Sequence, residues 1–118
     1  MEKSLQFLNR ITLIGYVGAV HFDESSRCIR LQVVTNFGYK NSNGTPIIET
    51  TWMPIVFFPP KDKFAKFKSL TGRNAVKVVG RMRNYKTILE NGQEINQMEV
   101  LASSLRILDS KNSLLLQI

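Results

Sequence analysis

The sequence predicts an all-β domain of five strands with one short helix between the third and the fourth. Three observations carry this. Runs of β-branched and aromatic residues alternate with polar ones and are bounded by Gly, Asn and Pro clusters. Only one stretch has helical spacing. The chain has 118 residues, 43% of them apolar, enough for one domain around one modest core.

Residues 9–16 form the first strand, with Gly15 and Gly18 placed where it ends or bulges. After a polar connection, residues 27–34 form the second, with Ile29, Leu31 and Val33 on one face and Arg30 and Gln32 on the other. Residues 36–45 read as a turn-rich excursion in which Asn43-Gly44 favours a positive φ. The third strand spans residues 49–58; Pro54 argues for an edge or a bulge there, and Pro59-Pro60 ends it. Residues 62–70 are the helix, with Asp62 as N-cap, an apolar stripe of Phe64, Phe67 and Leu70, and Gly72 to end it. Residues 75–88 are the fourth strand, residues 90–93 a hairpin turn, and residues 95–101 the fifth strand, with an irregular apolar continuation to Leu108. Three strands, a helix and two strands is the order of the OB-fold, a small Greek-key barrel. Residues 1–108 make the domain and residues 109–118 a short C-terminal segment.

The charge is concentrated. Sixteen bases and nine acids give +7. Nine of those bases lie between Lys61 and Lys86 against Asp62 alone, so that segment carries +8 and the rest of the chain −1. A lysine-rich helix by itself reads as a solvated face. Arginines inside a strand-like run point instead to a surface for a polyanion, the electrostatic footprint of nucleic-acid binders. Lone Cys28 and lone His21 exclude a disulfide framework and any site built on several thiolates or imidazoles. No apolar run is long enough for a membrane helix, and the N-terminus lacks a cleavable leader pattern, so a cytoplasmic protein is expected. Glu90, Glu94 and Glu99 have no His or Cys beside them and read as solvated or paired with bases; Gly15-Tyr16-Val17-Gly18 lacks the spacing of a phosphate-binding loop. An enzyme is therefore not expected, nor a cofactor or metal.

Alternation places Trp52, Val56 and Phe58 on one face of the third strand, with Met53, Ile55 and Phe57 on the other. In the fourth strand Lys77, Val79, Arg81, Arg83 and Tyr85 share a face that is poor material for a barrel interior. Two readings stand for Trp52 and Phe58: core packing, the commoner fate of large aromatics, or a platform on which bases stack while cations track the phosphates. Phe37 and Tyr39 are harder to bury, because they sit in the turn-rich excursion.

Four segments in order resemble the bacterial single-stranded DNA-binding proteins of the replicative OB-fold type. Asn9 through Gly18 is similar to that family's first strand, and Glu49-Thr50-Thr51-Trp52 to its Thr-Glu-Trp opening of the third. Val78-Val79-Gly80-Arg81-Met82-Arg83 is similar to its Val-x-Gly-x-Leu-Arg, and Asn91-Gly92 to the hairpin that follows. The resemblance spans residues 9–108. It implies base stacking on Trp52, Tyr39 and Phe58. The family's fourth stacking position falls at Thr87, which cannot stack, and Tyr85, two residues earlier on the same face, takes its place. Phe37 joins the stacking candidates, while Arg81, Arg83, Lys77, Lys86, Arg10 and Arg30 are the phosphate-contact candidates.

The resemblance further implies a protein that binds single-stranded DNA without strong sequence preference during replication, recombination or repair. It implies a homo-oligomer, with a tetramer favoured and a dimer left open. Met53 stands where the family has a His used in subunit contacts, and Pro59 where it has a Gly. The family's acidic, protein-recruiting tail has no counterpart in residues 109–118, so no recruitment through such a tail is expected, and Leu114 to Ile118 is expected to pack on the barrel or on a neighbouring subunit. The alternative is a tailless OB-fold accessory module of the primosome type, whose main ligand is protein.

Overall fold

The structure is a computed structural model that describes residues 6–108; the expectation for Leu114 to Ile118 falls outside the described residues. Five strands form a closed barrel: β1 (Ile11–Asp23), β2 (Cys28–Lys40), β3 (Pro46–Phe57), β4 (Ala75–Ile88) and β5 (Glu94–Ile107). Their order around the barrel is β1-β2-β3-β5-β4, and β1 closes against β4. All pairings are antiparallel except β3 with β5. This order is consistent with the OB-fold.

Alternation builds the interior. Ile29, Leu31 and Val33 of β2, Ile55 and Phe57 of β3, and Val76 and Val78 of β4 are buried in one cluster. Two bulges adjust it. In β1, Val17 pairs with Val33 and Val20 with Leu31, so Gly18 and Ala19 together face Gln32, and Val20 and Phe22 turn inward. Gly18 thus sits at a bulge as expected, whereas the strand runs on through Gly15. In β5, Val79 pairs with Ser104 and Gly80 with Ala102; the extra residue, Ser103, donates its hydroxyl to the Val79 carbonyl at 3.1 Å. That shift lets Val100, Ala102 and Leu105 all reach the core. Pro54 follows the edge expectation, because β5 joins β3 only from Ile55 onward.

The helix expected over residues 62–70 is only a short 3-10 turn, Ala65–Ser69. Its hydrogen bonds run from Lys66 to Lys63, Phe67 to Phe64 and Leu70 to Phe67, each over three residues. The cause lies in the apolar spacing. Phe64, Phe67 and Leu70 are three apart, and only a helix of three residues per turn keeps all of them on one line. All three are buried and plug one end of the barrel, with Phe67 edge-on to Phe57 at 5.4 Å and Phe64 edge-on to Phe22 at 6.3 Å. Asp62 makes no cap, for the residue at that place is Phe64, without a side-chain cap bond. Nor does Gly72 end the turn in a left-handed conformation: Leu70 leaves it extended, and Arg73 takes φ 77° while its N–H donates to Val17 O at 2.8 Å.

The excursion at residues 36–45 is also largely strand. β2 and β3 stay in unbroken register out to Lys40 opposite Pro46, and only the tip turns, with Gly44 at φ 79° and Asn41 Oδ1 accepting from the Asn43 and Thr45 N–H groups. Gly92 plays the same part at φ 85° between β4 and β5. Between β1 and β2, Asp23 Oδ1 accepts from the Ser25 hydroxyl at 2.8 Å and from the Ser25 and Ser26 N–H groups, which holds its carboxyl below the usual range. Arg27 is the left-handed residue of that turn, at φ 53°, so β2 begins one residue later than expected. Burial pushes the Cys28 thiol up, leaving it a small core residue.

One topological detail positions the exposed rings and cations. β3 and β5 pair only over Ile55, Val56 and Phe57 with Val100, Leu101 and Ala102. Upstream of that contact β3 has β2 alone as a partner, and β5 has β4 alone. Because β3 and β5 run parallel, the two hairpin arms leave the barrel at the same end, with a cleft between them.

Candidate nucleic-acid interface

Trp52 is 58% exposed on the outer face of β3. It pairs with Val34, which pairs in turn with Tyr16, so a row of apolar side chains crosses three strands. The indole leans over the β1 bulge: a Cβ on Gly18 would lie 3.1 Å from its Cζ3 atom. The bulge glycine thus clears the space the ring occupies. Tyr16, 44% exposed beside it, was missed by sequence reasoning, because its place depends on the register of three strands.

Phe58 follows β3 in the same alternation and is half-exposed, whereas Met53, Ile55 and Phe57 face the interior. Six residues separate Trp52 from Phe58, about 20 Å along a strand, so the two rings are separate stations rather than one sandwich. Phe37 and Tyr39 are exposed neighbours on the β2–β3 arm, ring centroids 6.0 Å apart. Continuous register places them on the opposite pleat face from Trp52. Tyr85 is half-buried on the β4–β5 arm and lines the inter-arm cleft with Arg30, Gln32 and Pro54. Thr87 turns its hydroxyl to the Gln97 side-chain oxygen at 3.3 Å.

The cations divide into three groups. Arg81 is exposed on the outer face of β4, and with Arg10 it borders a shallow groove over Leu101. Arg10 is brought there by Asn9, whose side chain accepts from Met82 N at 3.0 Å and donates to Met82 O at 2.7 Å, prolonging the β1–β4 ladder. Lys77 lies on the same outer face, between Ile14 and Arg106. The second group is engaged: Arg30 Nη1 lies 3.4 Å and Arg83 Nε 2.8 Å from the carboxylate of Glu99, which is 2% exposed. Lys86 is paired with exposed Glu94 at 3.4 Å. The third group stands apart at the plugged end of the barrel, where Lys68 pairs with Glu24 and lies over the Phe22 and Phe64 rings.

The barrel thus exposes flat rings at spaced stations on β1, β3 and the arms, and carries guanidinium and ammonium groups on the outer face of β4 and beside β1. Such a pattern suits an extended polyanion that also carries π faces. Among the described residues no helix is long and apolar enough to cross a membrane.

No family model matches the sequence, and no curated protein matches it. Solved structures do. The chain is similar to a Plasmodium falciparum SSB in complex with ssDNA, with a TM-score of 0.74 and 24% identity over 91% of this chain and 100% of that one. It is similar to a deletion mutant of the single-stranded DNA binding protein from Thermus aquaticus, with a TM-score of 0.70 and 14% identity over 88% of this chain and 52% of that one. A small single-stranded DNA-binding protein from Streptomyces coelicolor gives a TM-score of 0.62 and 14% identity over 90% of this chain and 100% of that one. The fold of this chain is therefore the barrel that these three single-stranded DNA-binding proteins share.

Proposed function

We propose that the protein binds single-stranded DNA without strong sequence preference, as a non-enzymatic protector of the strand in replication, recombination or repair. The observation that carries this reading is Trp52, the sole tryptophan, set 58% exposed on a strand face beside Tyr16. A ring of that size is ordinarily buried. Here it is offered to a ligand on a barrel like those of proteins that bind single-stranded DNA. Stacking supplies affinity that tolerates any base, and Arg10, Lys77 and Arg81 supply phosphate contacts. Trp52, Phe58, Tyr85, Tyr39 and Phe37 are the stacking residues of this reading. The working unit is a homo-oligomer, a tetramer in preference to a dimer; exposed Ile48, Ile88 and Met98 on the arms support an assembly that covers them. Its place is the cytoplasm, with the nucleoid.

Replacing Trp52 by Ala should cost about 1–3 kcal/mol of affinity for an oligothymidine, the range general to base–aromatic stacking. Equal binding by wild type and Trp52→Ala, measured by anisotropy of an end-labelled strand, would remove the stacking assignment. A wild type that does not bind the strand favours the protein-interaction module.

A further inference from the structure

Glu99 is the one buried charged residue among the described residues. A carboxylate held away from water is costly unless it is paired, and an apolar side chain of the same volume serves stability as well or better. Glu99 is paired twice, yet each guanidinium gives it a single close contact, Nη1 of Arg30 and Nε of Arg83. Each has five N–H donors in a rigid fork, so both retain donors for another anion. Their side chains remain 54% and 33% exposed. Arg30 opens into the inter-arm cleft, where Tyr85, Gln32 and Pro54 are its neighbours. Arg83 shares the face of Tyr85, two residues away. A buried anion therefore orients two outward-facing cations beside a flat ring.

We propose that Glu99 is the positioning residue of this cleft as a binding subsite: it sets both guanidinium planes, so that Arg30 and Arg83 meet the phosphates that flank the base on Tyr85. The inference rests on the reading that the protein binds single-stranded DNA. It goes beyond that reading because it assigns an acid a favourable part in binding a polyanion. Simple electrostatics gives the opposite sign: removing a negative charge from beneath the surface should tighten binding.

The test is binding of end-labelled oligothymidine over a salt series by wild type, Glu99→Gln and Arg83→Lys, with the thermal midpoint of each. The expected result for Glu99→Gln is about tenfold weaker binding, the loss of one well-placed charge-assisted hydrogen bond. Its slope of log K against log salt should be shallower by about 0.7, one phosphate contact of a single strand. Binding as tight as wild type or tighter overturns the proposal, and so does weaker binding with an unchanged slope, the mark of a purely structural role. If Glu99→Gln does not fold, Arg83→Lys decides: it keeps the charge and loses the fork, so several-fold weaker binding is expected and unchanged binding overturns the proposal. A wild type that does not bind oligothymidine overturns the functional reading and this subsite with it. Binding by wild type with both variants unaffected overturns the subsite alone.

Discussion

At the scale of single residues, the position of the Trp52 ring depends on a neighbour that has no side chain. A methyl group at Gly18 would come within 3.1 Å of both the Trp52 ring and Val34 Cγ2. The atoms in the way are side-chain atoms, so the barrel can absorb the change while the indole swings out. Gly18→Val should therefore fold, lose about 1–3 kcal/mol of oligothymidine affinity, and lose nothing more when Trp52→Ala is added. Undiminished binding by Gly18→Val would show that the ring's present position is not the binding one. The strand face taken by Trp52, by Tyr85 and by the β4 arginines was legible in the sequence, because period-two alternation needs only one strand; the exposure of the Trp52 face was not, since core packing fitted the same pattern. Nor was the Glu99 clamp. Its partners stand 69 and 16 residues away in the chain, and only barrel register brings them together.

Among the elements, β4 has the limits its pattern predicts, because both faces alternate cleanly and hairpin signals bound it. β2 and β3 run longer than expected at the tip of their arm. Asn36 and Gly38 are poor strand formers, yet cross-strand pairing out to Lys40 outweighs propensity. The segment between β3 and β4 differs for the opposite reason: its triplet of apolar residues specifies a 3-10 turn, and propensity for an α-helix does not decide. Two substitutions separate these accounts in urea unfolding. Phe67→Ala should cost about 3–5 kcal/mol, because the ring fills the barrel end against Phe57. Asp62→Ala should stay within about 0.5 kcal/mol. A loss near 1 kcal/mol at Asp62 would restore its role as a helix cap.

On the scale of the whole molecule, the positive segment is divided in space. Lys66 and Lys68 lie on the turn at the plugged end, while Lys77, Arg81 and Arg83 lie along the outer face of β4. The charge of +7 therefore overstates what one bound strand meets. If Arg10, Lys77, Arg81 and the clamped pair each neutralise a phosphate, about five in all, log K should fall against log salt with a slope of about −3 to −4. The fold class, the strand order and the outward face of β4 were legible before the structure; the two-armed cleft was not, because it arises from the brevity of the β3–β5 contact. Titrating the protein with oligothymidine at low salt while following tryptophan emission reports directly on stacking at Trp52, the chain's only indole. Strong, saturable quenching at many nucleotides per protein, reversed by salt, is expected. Emission that does not change as the strand is added would contradict that stacking.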